Sequence, residues 1–129
     1  MPEAFARPFR PVELHASSLM SFPLQAMAQQ LMTEDAFQTS GRNALTLVHQ
    51  KDLTVVLTVL RAGAILPEHH APAPVTLLPL LGEIILVSAE GTTRLTLDHS
   101  HAAVFAANLA HRVEARQDSA FVLVMGGQA

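Results

Sequence analysis

The residues best suited by type to do chemistry are His69 and His70, set between Glu68 and a run of Ala71, Pro72, Ala73 and Pro74, with His111 far along the chain as their counterpart. Imidazole is the commonest side-chain ligand for zinc, iron, nickel and copper, and it exchanges protons near neutral pH. In an extended segment neighbouring side chains point to opposite faces. His69 and His70 therefore diverge, and Glu68 lies opposite His69. His49 follows Leu45 and Leu47 at strand spacing and is expected on their face, as a further pocket candidate. His99 and His101 beside Asp98 form a His-x-His, but one expected to sit in a solvated turn. His15 has no partner at metal spacing.

Composition removes several function classes. There is no cysteine, so disulfides, thiol nucleophiles and Cys-based zinc sites are out. A net charge of −3, with no Trp and no Tyr, gives neither the basic surface nor the aromatic platform that nucleic acid requires. The serines lack the glycine elbow of a hydrolase, and the scattered glycines make no phosphate loop. Val75 to Leu81, the longest apolar run, is too short to span a bilayer. Residues 1 to 11 carry three prolines and no continuous apolar stretch, so a cytoplasmic location is the default expectation. Half of the residues are hydrophobic and only 15% are charged, an excess that points to a subunit interface, most simply a homodimer.

The elements that must position the histidines are mostly strands. Residues 1–20 read as an extended arm, mobile or laid across a partner, and 21–129 as one domain. Within it, Leu24, Met27, Ala28, Leu31 and Met32 repeat at helical spacing, which predicts a helix over 21–35 with Ser21 as its cap and Pro23 in its first turn. From residue 42 to 126 short β-branched runs alternate with turns. Lys51 and Asp52 read as a two-residue hairpin between 44–50 and 53–61. Further strands are expected at 75–81, 84–88, 92–97, 102–105, 111–115 and 120–125, with a turn at Ala89, Glu90 and Gly91 and a frayed tail from Gly126. About eight such strands argue for a sandwich or barrel. The runs 75–81 and 84–87 are apolar on both faces, so both faces should be covered, one by the core and one by a second subunit or the helix. Pro79 marks a bulge or an edge.

The order Gly63, His69, His70, Gly82, then Asn108 and His111 resembles the two-part signature of the cupin superfamily. The first part of that pattern is a glycine, five residues, His-x-His, then a Glu and a second glycine. Here His69 matches its first His, Ala71 stands at the second, and counting back from Gly82 puts Val75 at the Glu. The second part resembles Pro-x-Gly-x-x-His, written here as Ala106, Asn108 and His111, with Asn in the place of a left-handed glycine. The likeness covers residues 20 to 126 and extends to small bacterial single-domain cupins. It implies an all-β, double-stranded β-helix (a cupin-type jelly-roll barrel) with an N-terminal α-helix, in whose mouth His69 and His111 converge.

Three functions follow as expectations. The first is a small-molecule-binding cupin whose pocket is lined by His69 and His111, with His49 and His70 in support. The second is a metal-dependent cupin enzyme of dioxygenase or isomerase type, holding a divalent Fe, Mn, Zn or Ni through His69 and His111, with His70 as a displaced third ligand. The third is a structural or regulatory homodimer without a small ligand. Ala71 and Val75 in ligand positions favour the first, because they make the pocket apolar. Two imidazoles are also thin for a catalytic metal, which normally takes three protein ligands.

Overall fold

The computed structural model describes residues 5–88 and 91–126. Two helices precede nine strands: α1 (Leu24–Thr33), α2 (Asp35–Ser40), β1 (Arg42–Gln50), β2 (Leu53–Leu60), β3 (Ile65–His69), β4 (Val75–Leu81), β5 (Ile84–Ser88), β6 (Arg94–Leu97), β7 (Ala103–Phe105), β8 (His111–Ala115) and β9 (Ser119–Gly126). They form a five-stranded sheet in the order β1-β2-β9-β4-β7 and a four-stranded sheet in the order β3-β8-β5-β6. Ala89 and Glu90 of the expected turn, and the tail beyond Gly126, lie outside the described residues.

The strands carry two separate cores because the middle of the larger sheet is apolar on both faces. Leu57, Val59, Ala120 and Val122 pack outward against Met27, Ala28, Leu31 and Phe37 of the helices. Phe121, Leu77 and Leu60 pack inward against Ile84, Leu86 and Val113 of the smaller sheet. Period-two alternation produces this division, since neighbouring residues of β9 serve opposite sides. The hairpin turns at Lys51 and Asp52 as expected, with Gln50 paired to Leu53.

The helical segment differs from the single helix expected over 21–35. Glu34 is extended, with φ −80° and ψ 156°, and separates α1 from α2. Pro23 takes the N-cap position itself, and no side chain caps that end. Arg61 donates to the Phe37 and Gln38 carbonyls, closing the C-terminal end of α2 where carbonyls lack helical partners. The arm lies on its own domain. Arg7 grips Glu34 at 2.7 Å, Gln30 pairs with the Phe5 backbone, and Val12 bridges Val48 in parallel at the open edge of β1.

The outer face of β5 is partly covered within the chain. Ile85 and Val87 pair with Glu114 and Arg112 on β8 and with Thr96 and Arg94 on β6. Glu114 holds Arg112 at 2.8 Å and Arg94 at 3.2 Å. Val87, paired with both arginines, has no exposed surface. On β4 the outward Leu80 joins the helical core, while Leu78 stays 39% exposed. Pro79 sits at a register shift between Pro79 and Leu81, the bulge expected of it.

The β4–β5 turn depends on Gly82. Its φ is +75°, and a Cβ there would run into the Asp118 carbonyl and the Ser119 hydroxyl. Gly91 has a similar φ of +70° but open space around it. Gly91→Ala should cost about 1–2 kcal/mol, the left-handed strain alone. Gly82→Ala should cost about 3 kcal/mol or more, because overpacking adds to that strain. Urea unfolding of the two variants measures the difference, and equal losses would contradict the close approach at Gly82.

Candidate functional site

His111 begins β8 and is 4% exposed; His69 ends β3 and is exposed. The β3–β8 ladder pairs them directly, after an irregularity between Leu66 and His69 that resets the register. Their rings lie 4.3 Å apart between centroids, tilted by 58°. The Phe105 ring stands 4.4 Å from His111, tilted by 55°. A second tie joins the two motif loops: the Asn108 N–H donates to the Ala71 carbonyl at 2.7 Å. Asn108 adopts φ 65°, the left-handed conformation expected of it.

The two imidazoles are oriented alike. His111 Nδ1 is 2.9 Å from the Leu109 carbonyl, and His69 Nδ1 is 2.8 Å from the Pro67 carbonyl. A carbonyl accepts only, so each Nδ1 carries the proton and each Nε2 presents a lone pair. No hydrogen bond engages Nε2 of His111, and no buried polar side-chain atom among the described residues lacks a partner. That nitrogen is therefore open to solvent-sized space.

A cavity of about 330 Å³ opens beside His111, between the edge strands β6 and β7. Its apolar wall is Leu86, Leu95, Ala103, Phe105 and Leu109. Its polar atoms come from Ser88, Thr93 and His111. Ser88 faces His111 across the β5–β8 ladder, but its hydroxyl already bonds Thr92 and accepts from the Thr93 backbone. The cavity size falls at the lower end of small-molecule sites, about 300–1,000 Å³.

The other candidates lie apart from this cavity. His49 does not share the face of Leu45 and Leu47. The β1–β2 register shifts between Thr46 and Val48, so Leu47 and Val48 are both buried and the alternation slips by one residue. His49 is exposed instead, near Thr54, in a separate depression bordered by Pro72, Ala73 and Met125. His70 follows the end of β3, is exposed, and does not line the cavity. It is close enough for its charge to act on His111. His101 is folded back on its own turn, where it pairs with Asp98 at 3.0 Å. The Ser100 hydroxyl and N–H hold the Asp98 carboxyl down to about 2. Residues absent from the sequence reading are Phe105, Leu109 and Ser88. The cue for them is strand register, which places Ser88 opposite His111.

The donor set does not fit a resident catalytic metal. His69 and His111 supply two imidazole nitrogens. Val75, at the expected Glu position, is 3% exposed within the inner core, and Ala71 packs against the same core. Among the described residues no group of three or more His, Cys, Asp or Glu is placed to hold a metal ion. A catalytic centre normally takes three protein ligands and a structural one four.

Burial holds the His111 pKa below the ordinary imidazole value of 6.5, with the His69 and His70 charges adding to the effect against the Leu109 hydrogen bond. The unfolded chain therefore binds a proton first as the pH falls below 6.5, and the folded chain follows only at its lowered pKa. Stability should drop with acidification from about that pH and level off once the native His111 is protonated. Thermal unfolding between pH 8 and pH 5 measures it. The decline should be shallower in His111→Gln, which has no titrating ring; parallel profiles would contradict the assignment to His111.

No family model matches the sequence, and none of the curated proteins matches it. Solved structures do. An RmlC-like cupin protein from Desulfovibrio desulfuricans superposes with a TM-score of 0.69 at 16% identity, over 84% of this chain and 97% of that one. A conserved protein of unknown function from Streptococcus pyogenes gives 0.68 at 17% identity, over 96% and 99%. The DMSP lyase DddQ from Ruegeria pomeroyi gives 0.63 at 16% identity, over 79% of this chain and 54% of that one. No helix among the described residues is long and apolar enough to cross a membrane. Two facing antiparallel sheets, paired motif loops and these neighbours together show that the chain has the double-stranded β-helix fold of the cupin superfamily.

Proposed function

We propose that the protein binds a small, partly apolar molecule in the cavity beside His111. The observation that carries this reading is the cavity itself: about 330 Å³ of space, walled largely by hydrocarbon, with His111, its ring oriented by the Leu109 carbonyl, on its lining. Concave apolar walls with a few fixed polar groups are the usual form of a small-molecule site. The leucines and Phe105 supply affinity by leaving water, and His111 supplies direction by accepting a hydrogen bond.

Metal-dependent chemistry is the weaker alternative. Its support is the His69–His111 pair, whose Nδ1 atoms are tied to carbonyls in the manner of metal-ligating histidines. Two nitrogens leave that coordination short of the usual three protein ligands. An acid–base role for His111 in a bound molecule's chemistry is compatible with the binding reading, because its lowered pKa keeps it a neutral base at pH 7.

Thermal shift against a panel of small apolar alcohols, phenols, acids and amines tests the binding reading. A true ligand at 100 times its Kd should add about 2.7 kcal/mol of stability. Leu95→Arg, which puts a long charged side chain at the exposed rim of the wall, should remove that shift while the unliganded protein remains folded by circular dichroism. Absence of any shift across the panel would overturn the proposal. Elemental analysis of protein purified without a His tag checks the alternative: we expect well below one equivalent of any transition metal, and one full equivalent lost in His111→Ala would overturn that expectation.

A further inference from the structure

We propose that the ligand of this cavity is a phenol: an uncharged, largely apolar aromatic molecule whose hydroxyl donates to Nε2 of His111 and whose ring rests against Phe105. The proposal builds on the binding reading above and names the chemical class that the walls select.

Charge is the first filter. Among the described residues, none of the side chains lining the cavity is charged. A carboxylate or phosphate would lose its hydration there without an Arg or Lys to replace it, and an ammonium would find no carboxylate. The arginines of β6 and β8 are turned away. Arg94 and Arg112 lie on the outer face, held by Glu114.

Hydrogen-bond polarity is the second filter. Nδ1–H of His111 is committed to the Leu109 carbonyl, so the ring offers a ligand an acceptor and no donor. Burial disfavours the protonated ring that would reverse this. The Ser88 hydroxyl, the nearest alternative, is occupied by Thr92 and Thr93. A ligand that engages His111 must therefore bring a donor. Ketones, ethers and esters bring none. A phenolic hydroxyl is a strong donor that stays protonated until about pH 10.

Shape is the third filter. Phe105 meets His111 at 4.4 Å and 55°, which makes an aromatic corner where the hydroxyl must dock. Rings favour offset or edge-on contact with such a face, worth about 0.5–1.5 kcal/mol beyond area. Leu95 and Leu109, 45% and 40% exposed, form an apolar rim. An alkyl substituent para to the hydroxyl would lie along that rim and cover it.

Isothermal titration with 4-butylphenol, its methyl ether 4-butylanisole, and 4-butylbenzoate tests the class. The phenol should bind about five- to tenfold more tightly than the ether, the worth of one net hydrogen bond. The benzoate should bind more weakly than either. In His111→Gln, whose amide can supply a donor as well as an acceptor, the preference for phenol over ether should shrink towards one. Should that variant fail to fold, the wild-type pH profile carries the same information: phenol affinity should fall on acidification as His111 protonates, while ether affinity stays flat. Benzoate binding as tightly as the phenol would overturn the phenol assignment and leave the binding cavity standing. An ether equal to the phenol would do the same. Silence from all three probes would overturn the phenol assignment, and with the silent thermal-shift panel it would remove the cavity reading as well.

Discussion

Strand β9 serves two cores at once, and the molecule is organised around that constraint. Ala120 and Val122 are locked beneath the helices, while Phe121 between them is fully buried between the sheets. A slip of one residue would exchange these sets and put an aromatic ring where alanine now meets a helix. The register with β2 runs unbroken from Leu53–Gly126 to Leu60–Ser119, so the slip has no soft point at which to begin. By contrast, the bulges fall where β1, β3 and β4 meet their neighbours. The β2–β9 ladder is regular, and the irregularities fall in the β1–β2, β3–β8 and β4–β9 ladders.

That distribution explains the site. His69 reaches His111 because β3 carries one extra residue between Leu66 and His69. His49 misses the site because β1 gains one at Leu47. The same kind of defect brings one imidazole in and sends another out. Between the motif loops, the Asn108–Ala71 hydrogen bond fixes the approach, and the carbonyls of Leu109 and Pro67 set the ring orientation. Ala71 and Val75, at two positions of the motif where the cupin pattern has donors, carry only hydrocarbon here. What remains is an orienting frame around an apolar space, suited to hydrogen bonding more than to coordination.

Much of the fold was legible in the sequence. The β-branched run from Leu53, the Lys51–Asp52 turn and the bulge at Pro79 were each readable from local chemistry. So was the convergence of His69 and His111, through the spacing that resembles the cupin pattern. Strand β3 was not legible, because Pro67 argues against a strand unless its position at the sheet edge is already known. Helix α2 was hidden for a different reason: six residues are too few to show a period, and only Glu34 separates it from α1. The face of His49 could not be read, since alternation counts residues and a bulge breaks the count. The walls at Phe105 and Leu109 come from strands that meet only in three dimensions, and no spacing in one sequence announces them.

The bridge between Val12 and Val48 has a consequence for solubility. Strand β1 is nine residues long and ends the larger sheet, so its outer rim offers unpaired amides and carbonyls to any passing strand. The arm occupies that rim: Val12 N–H bonds Leu47 O at 2.8 Å, His49 N–H bonds Val12 O at 3.1 Å, and Gln50 takes the Leu14 N–H. Arg7 and Gln30 anchor the segment further back on the helix. A stretch of irregular backbone thereby works as a guard rail, denying other copies the template on which cross-β stacking would start.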